Sequence, residues 1–260
     1  MRIVVLNLMP NKIETENQLK KSLGNNDYDL EFTFLRTATY HSKNSDPVYL
    51  DENYKIIDDI ISEHFEGFIC TGAPVETLPF ESVLYMDELT QIIQWARNNT
   101  ISSYYICWGA NVALYYFYGI EKVLYEKKFS GIYDHEILIP DANLMDGLSG
   151  IVKMPVSRFA GVKKEDIDAV EDLELLLYSR QSGPCLIASK TYSEYFNFNH
   201  FEYDAETLSN EYHRDIKNGM EIGLPLNYFP NDNPDQTPIK CWANNSTLFF
   251  NNWLKSMQNN

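Results

Sequence analysis

The first half of the chain alternates short apolar runs with segments of helical spacing, and this alternation constrains the fold most strongly. Four apolar runs have the character of buried strands, at residues 2–9, 30–35, 68–70 and 101–106. Residues 52–64 and 86–97 carry apolar side chains three and four positions apart, as on one face of a helix. Strands that alternate with helices of about 10–15 residues predict βαβ units and a parallel sheet with helices on both faces.

The second half of the chain has a different character. After a polar loop at residues 41–47 and the βαβ units, strand-like runs follow one another quickly from about residue 130, which predicts a partly antiparallel arrangement. Two helices are expected near the end, at 204–219 and 245–257. No repeat or linker is evident. We therefore predict an α/β fold, a parallel-sheet-centred three-layer sandwich with a strand-rich second half, and a single domain over residues 1–260.

Charge and composition exclude several classes of function. The formal net charge of −16 argues against nucleic acid and anionic membranes, because both are bound by Lys/Arg-rich faces. No run approaches the roughly 20 apolar residues of a membrane span, and the start MRIVVLNLMP is typical of a first strand rather than a secretory signal. The four cysteines lie far apart, without a CxxC pair or histidines at metal spacing. We expect a cytoplasmic protein with no metal site.

Cys107 stands where a β-prone run gives way to a helix-like stretch, in SSYYICWGANVAL. Open α/β sheets bind their ligands at such strand ends. A thiol there faces the positive end of a helix dipole, which favours the nucleophilic thiolate. The N–H of Trp108, at the start of the helix, is free to donate to an oxyanion. This context predicts a nucleophile, although a single cysteine is more often a small buried apolar residue.

A nucleophilic cysteine needs a base, and the base needs an orienting group. His200 follows the strand-like SEYFNF, and Glu202 comes two residues later. Two residues along an extended segment place both side chains on the same side. We predict a Cys107–His200–Glu202 triad carried on two strand ends.

Eight motifs in order then reveal a family resemblance: LNLMPNKIETENQL, TGAPVE, ICWGANVALYYFYGI, KKFSGIYDHEIL, SRF, HFEYDAETLSNEYHRD, LPLNYFPNDNPDQTP and NWL. Over almost its whole length the chain resembles the homoserine O-acyltransferase family of methionine biosynthesis, the branch with a class I glutamine-amidotransferase-like, flavodoxin-like fold. The resemblance implies a ping-pong reaction in which an acyl-CoA acylates a cysteine and a hydroxy amino acid accepts the acyl group. It implies small-molecule substrates, no bound cofactor and a homodimer.

The resemblance also assigns roles position by position. Cys107 would be the acyl-carrying nucleophile, His200 the base and Glu202 its orienting partner. Lys128, Ser157 and Arg214 match substrate-binding positions. Independently, an arginine can clamp an α-carboxylate and a carboxylate such as Glu211 can hold an α-ammonium, although residues at this spacing also form ordinary surface ion pairs.

The motif TGAPVE ends in Glu76, which matches the position that sorts the acyl donor in this family. A glutamate there resembles the acetyl-using members and a glycine the succinyl-using ones. A carboxylate would repel the second carboxylate of succinyl-CoA, so acetyl-CoA is the expected donor. Gly72 and Ala73 are candidates for the second oxyanion N–H, or an ordinary tight turn. Lys12 is a candidate for the rim of the active site.

Two departures from the family pattern lie near the expected acceptor site. The usual PHSR is PVSR here, with Val156 before Ser157, and the usual GHPEYD is NHFEYD, with Phe201 after the base. If these side chains reshape the acceptor pocket, L-serine becomes an alternative to L-homoserine, because one methylene is worth only about 1–3 kcal/mol. Succinyl-CoA as donor, a glutaminase and a non-catalytic relative are further alternatives. The intact triad argues against the last of these.

Overall fold

A ten-stranded sheet organises the computed structural model of the protein, which describes residues 1–24, 26–40 and 46–258. The strands lie in the order β3-β2-β1-β4-β5-β10-β9-β8-β6-β7. Their bounds are β1 Arg2–Leu6, β2 Glu31–Leu35, β3 Tyr54–Lys55, β4 Phe65–Cys70, β5 Thr100–Ile106, β6 Val123–Ile137, β7 Ile151–Gly161, β8 Leu173–Ser179, β9 Gly183–Ser189 and β10 Glu194–Asn197. The helices are α1 Lys12–Leu23, α2 Pro47–Asn53, α3 Met86–Asn99, α4 Trp108–Tyr118, α5 Lys164–Asp168, α6 Thr207–Lys217 and α7 Ala243–Ser256.

The sheet divides into a parallel and an antiparallel part, as the sequence predicts. The strands from β3 to β10 in the sheet order pair in parallel, whereas β9, β8, β6 and β7 continue with antiparallel pairs. From β1 the chain adds β2 and β3 on one side, and it then adds β4 and β5 on the other side of β1. A topological switch point therefore lies between β1 and β4. In open α/β sheets the crevice for a ligand lies beyond the carboxyl ends of strands at such a point.

Two apolar layers cover the faces of the sheet and confirm the three-layer sandwich. Alternate residues of β1 separate: Val4 and Leu6 pack in the cluster that includes α3 and α4, whereas Ile3 and Val5 pack with α1 and α7. Each strand residue therefore belongs to one face, as the period of two requires. Within the described part of the chain, no helix is both long and apolar enough to cross a membrane.

One predicted element is wrong. The sequence predicts a helix over 52–64, but α2 runs over Pro47–Asn53 and the chain then extends into β3. Asp46 caps this helix by accepting from the N–H of Val48, and Pro47 occupies its first turn. Tyr54 pairs with β2 and buries its ring beneath α1, and this tertiary contact outweighs the helical spacing. Of the loop predicted at 41–47, residues 41–45 lie outside the described residues.

Helix α4 begins in close contact with the end of β4, and Gly109 permits this approach. A Cβ atom at Gly109 would lie 2.8 Å from the carbonyl oxygen of Thr71 and 3.0 Å from that of Cys70. Both obstacles are backbone atoms, which cannot rotate away. The first turn of α4, which follows Cys107, is therefore held against the end of β4.

We expect Gly109→Ala to destabilise the protein by about 1–3 kcal/mol, because the added methyl group overpacks this contact. In a chain of this length each kcal/mol corresponds to about 2–4 °C in Tm, which calorimetry measures. Gly223→Ala is the matched control, since no atom lies within 4 Å of the Cβ position there. Equal Tm values for the two variants would contradict the close approach.

Candidate active site

Cys107 forms a sharp turn between β5 and α4, at the carboxyl edge of the sheet. Its φ of 52° and ψ of −113° lie where a non-glycine residue costs about 1–3 kcal/mol. The Cys107 N–H donates to the carbonyl of Asn197 at 2.7 Å, and its own carbonyl accepts from the N–H groups of Ala110 and Asn111 at 3.1 and 3.2 Å. These bonds hold the strained turn, which has the form of a nucleophile elbow.

Backbone donors predicted for an oxyanion lie beside the thiol. Trp108 is the first residue of α4, so its N–H has no acceptor inside the helix. A Cβ atom at Gly72 would lie 3.2 Å from the Cβ of Cys107 and 3.7 Å from the nitrogen of Trp108, which places the Gly72–Ala73 segment against the elbow. The structure thus brings both predicted donor segments to the same thiol.

His200 and Glu202 form the predicted pair. The ring Nδ1 of His200 lies 2.6 Å from Oε1 of Glu202, and both side chains are buried. The backbone N–H of His200 donates to the carbonyl of Pro155 at 3.0 Å, which anchors the backbone of His200 to β7. Because Nδ1 is engaged by Glu202, Nε2 is the nitrogen available for proton transfer. It has no aligned hydrogen bond within the described residues.

The electrostatic environment favours the charged form of His200. Burial alone would lower its pKa, but the negative charge of Glu202, the hydrogen bond with Glu202 and the neighbouring Cys107 side chain together raise the pKa to about 10. The influence of Cys107 shows that the thiol is near the ring. The balance of these interactions favours the imidazolium form of the ring over the neutral form.

Tyr203 links the base to a second group of polar side chains. Its ring stacks on that of His200, with centroids 4.1 Å apart and planes inclined by 16°. Its hydroxyl donates to Oε1 of Glu211 at 2.8 Å. The other carboxylate oxygen, Oε2, accepts a hydrogen bond from Ser157 and a longer one from Lys128, at 3.3 Å. Two of the predicted substrate-binding residues, Lys128 and Ser157, thus meet at the carboxylate of a third, Glu211.

Arg214 lies at the outer side of this group, and its partner is Asp215. The guanidinium donates through Nε and Nη2 to one Asp215 oxygen at 2.9 and 2.8 Å, while Lys128 donates to the other at 2.8 Å. Burial would raise the pKa of Asp215, but hydrogen bonds from Lys128 and Arg214 lower it. We call Lys128, Ser157, Tyr203, Glu211, Arg214 and Asp215 the charged cluster. The ion pair between Glu211 and Arg214 that their spacing allows is not formed among the described residues.

Glu76 lies near the charged cluster. Burial raises the pKa of its carboxyl group, whereas the N–H of Phe159 and the charges of Lys128, Arg158 and His200 act to lower it, and burial prevails. Its Oε2 is buried without a hydrogen-bond partner in the described part of the chain. The residue predicted to sort acyl donors is therefore close to both the base and the charged cluster.

Three other predicted residues lie apart from this arrangement. The Lys12 ammonium is buried against the carbonyl of Asn7 and the Tyr54 ring, and burial lowers its pKa to about 8. Val156 is fully buried and, by the alternation of β7, points to the side opposite Ser157. Phe201 is fully buried against Phe249 of α7, with ring centroids 4.8 Å apart.

Sequence reasoning missed three contributors to the site. Tyr203 and Asp215 belong to the quoted motif HFEYDAETLSNEYHRD, but nothing in their spacing distinguishes a bridging tyrosine or a second carboxylate. Asn197 contributes its backbone carbonyl, which any residue possesses. Only the pairing of β10 with β5 reveals that this carbonyl reaches Cys107.

Solved structures of other proteins share this fold. A glutamine amidotransferase from Thermotoga maritima has a TM-score of 0.60 at 11% identity, covering 99% of this chain and 96% of that one. A glutamine amidotransferase from Methylobacillus flagellatus has a TM-score of 0.61 at 12% identity, covering 98% and 94%. At such identities the likeness shows the fold alone. The chain has the class I glutamine-amidotransferase-like fold that the sequence predicts.

Sequence comparison then identifies the family. The family model described as homoserine O-succinyltransferase matches residues 1–260. A homoserine O-acetyltransferase from Geobacillus kaustophilus is 44% identical over 254 residues, covering 98% of this chain and 84% of the relative. One from Petrotoga mobilis is 43% identical over 254 residues, covering 98% and 82%. The chain belongs to the homoserine O-succinyltransferase family, and it is an O-acyltransferase.

The charge of Glu202 should determine the protonation of His200. In Glu202→Gln we expect the pKa of His200 to fall by about 1–3 pH units, because an attractive charge is lost while burial remains. NMR titration of the ring Cε1–H signals measures this. His135 serves as the internal reference, since burial lowers its pKa to about 4. An unchanged His200 titration in the variant would contradict the pairing.

Proposed function

We propose that the chain transfers an acetyl group from acetyl-CoA to the side-chain hydroxyl of L-homoserine, in a ping-pong reaction through an acetyl-Cys107 intermediate. The observation that carries this proposal is the position of Tyr203. The Tyr203 ring stacks on His200, and the Tyr203 hydroxyl donates to Glu211, the carboxylate at the centre of the charged cluster. A hydroxy amino acid held by that cluster would therefore lie next to the base and, through it, to the thiol.

In the first half-reaction, the Cys107 thiolate attacks the thioester carbon of acetyl-CoA. The N–H groups of Trp108 and the Gly72–Ala73 segment stabilise the oxyanion of the tetrahedral intermediate. The C–S bond to CoA breaks, and the His200 imidazolium gives its proton to the departing CoA sulfur. Acetyl-Cys107 and a neutral His200 remain, so the protein is left with a base that is ready for the next step.

In the second half-reaction, His200 takes the proton from the acceptor hydroxyl as its oxygen attacks the acetyl carbon. The same backbone N–H groups stabilise the second oxyanion, and the bond from the acetyl carbon to Cys107 breaks. The products are O-acetylhomoserine, the thiolate and the imidazolium, which restores the starting state. The raised pKa of His200 fits this cycle, since the resting site needs the imidazolium.

The charged cluster supplies both kinds of group that an α-amino acid requires. Arg214 is half-exposed and presents a guanidinium that can clamp an α-carboxylate, in exchange for its contact with Asp215. Glu211 is largely buried and can accept from the α-ammonium. Lys128 and Ser157 hold the Glu211 carboxylate in place. The acceptor side chain would then extend past Tyr203 towards His200.

L-homoserine is the acceptor we propose. The alternative of serine depended on Val156 and Phe201, but Val156 lies on the face of β7 opposite Ser157, and Phe201 packs against Phe249 of α7. The relatives reported above carry homoserine O-acetyltransferase names, which supports both this acceptor and the acetyl donor. A glutaminase has only the fold likeness in its favour.

The acyl intermediate is directly testable. Incubation with acetyl-CoA alone should add one acetyl group to the wild type and none to Cys107→Ala, as measured by intact mass spectrometry. Cys241→Ala is the matched control, because it removes an exposed thiol outside the site and should leave acylation unchanged. If acetyl-CoA and the acceptor together give product in a single turnover but no acetyl adduct is detected, the transfer is direct and the proposed intermediate is contradicted.

The acetylated protein also reports the acceptor in the same experiment. L-homoserine should discharge the adduct, and L-serine should do so at least about tenfold more slowly, since one methylene is worth roughly 10–200-fold. Equal or faster discharge by L-serine would contradict the proposed acceptor while leaving the acyl intermediate intact.

Glu76 should select the acyl donor through both charge and volume. We expect Glu76→Gly to raise the ratio of kcat/KM for succinyl-CoA to that for acetyl-CoA by about tenfold or more, equivalent to about 1.4 kcal/mol. Glu76→Gln removes the charge and keeps the volume, so it should give a smaller rise. Steady-state kinetics with the two donors measures these ratios. An unchanged ratio in Glu76→Gly would refute this role.

A further inference from the structure

The loop that carries Glu76 has little hydrogen bonding of its own. It connects β4 to the short turn at Phe80, and among the described residues its internal backbone bonds are Val75 N–H to Ala73 O at 2.8 Å and Leu78 N–H to Val75 O at 3.0 Å. Glu76 itself needs a defined position, because its carboxylate lies near His200 and Lys128. Something outside the loop must therefore help to fix it.

Lys122 supplies contacts to this loop from the turn after α4. Its ammonium donates to the carbonyl of Glu76 at 2.7 Å and to that of Leu78, and it lies 4.6 Å from the centre of the Phe80 ring. An ammonium has three N–H groups and no acceptor. Two carbonyls and an aromatic face satisfy it, so Lys122 joins three positions of one loop.

The fold presents Lys122 at this place through the end of α4. Gly119 has a φ of 68° and closes the helix, with its N–H bonded to the carbonyls of the last turn. The following Ile120 is buried, and its N–H bonds to Leu114 O at 3.3 Å. Phe80 stacks on Tyr115 of the same helix, with centroids 4.6 Å apart. The lysine and the ring that it covers are thus both anchored on α4, which begins at Cys107.

We propose that Lys122 is a positioning residue for acyl-donor selection, which holds the backbone at Glu76 so that its carboxylate stays in the acyl pocket. The inference rests on the proposed function, because it concerns the selectivity assigned to Glu76. Lys122 does not touch the reacting atoms in this account. It acts on the donor half-reaction through Glu76 and leaves the acceptor site, on α6 and β7, unaffected.

Kinetics separate this role from a general loss of structure. Lys122→Met should raise KM for acetyl-CoA about tenfold and lower the preference for acetyl-CoA over succinyl-CoA, because two hydrogen bonds to the loop are lost. KM for L-homoserine should change less than twofold. Lys122→Arg can still donate to both carbonyls and should restore most of the preference. Lys164→Met is the matched control, since that lysine pairs with Asp168 on the surface of α5.

A double variant tests whether Lys122 acts through Glu76. In the Glu76→Gly background, Lys122→Met should cause no further change in donor preference, because the side chain that it positions is absent. Additive effects would instead mean that Lys122 contacts the donor itself, and they would overturn the proposal. Equal increases in KM for acetyl-CoA and for L-homoserine in Lys122→Met would overturn it too.

Two further comparisons distinguish loss of positioning from unfolding of the variant and from failure of the proposed function. If Lys122→Met unfolds, Lys122→Gln offers a shorter neutral donor, and the same shift in donor preference is expected at a temperature where circular dichroism shows it folded. Failure of the wild type to form acetyl-Cys107 would contradict the proposed function. Normal acylation of the wild type with unchanged donor preference in the Lys122 variants would contradict only the positioning role.

Discussion

The hydrogen bond from the Cys107 N–H to the Asn197 carbonyl is the contact on which the site depends. It joins the end of β5 to the end of β10 across the parallel pairing of these strands. Cys107 sits in a strained backbone conformation, and such a conformation persists only when its surroundings determine it. Three residues after Asn197 comes His200. The same contact that stabilises the elbow therefore ties Cys107 to the segment that carries His200.

Cations and carboxylates meet at the site, although the chain as a whole is acidic. The chain carries a formal net charge of −16, yet Lys128, Arg158 and Arg214 converge near the triad. Lys128 contacts Glu211 and Asp215, and Arg214 contacts Asp215. Because these two cations are already held in place by carboxylates, the proposed binding of an amino acid by exchange of partners would require little reorganisation.

The sequence predicts the βαβ half of the fold and the triad because both depend on local pattern. Strand ends recur at the same edge of a parallel sheet, so Cys107 and His200 could be brought together from their places in the chain alone. The helix predicted over 52–64 failed because its spacing signal competed with a tertiary contact. Tyr54 prefers the β2 edge, where its hydroxyl donates to Glu16 at 2.6 Å. No local pattern encodes a partner 38 residues away.

The charged cluster illustrates a different limit. Family motifs name Lys128, Ser157 and Arg214, but they do not give the side on which neighbouring residues point. Ser157 and Val156 are adjacent in the sequence, and the alternation of β7 sends one to Glu211 and the other into the core. The side chain at position 156 therefore bears on core packing at the face of β7 opposite Ser157. The loop that bears Glu76 differs in this respect, because Phe159 donates its backbone N–H to the Glu76 carboxylate while Lys122 donates to the Glu76 backbone carbonyl.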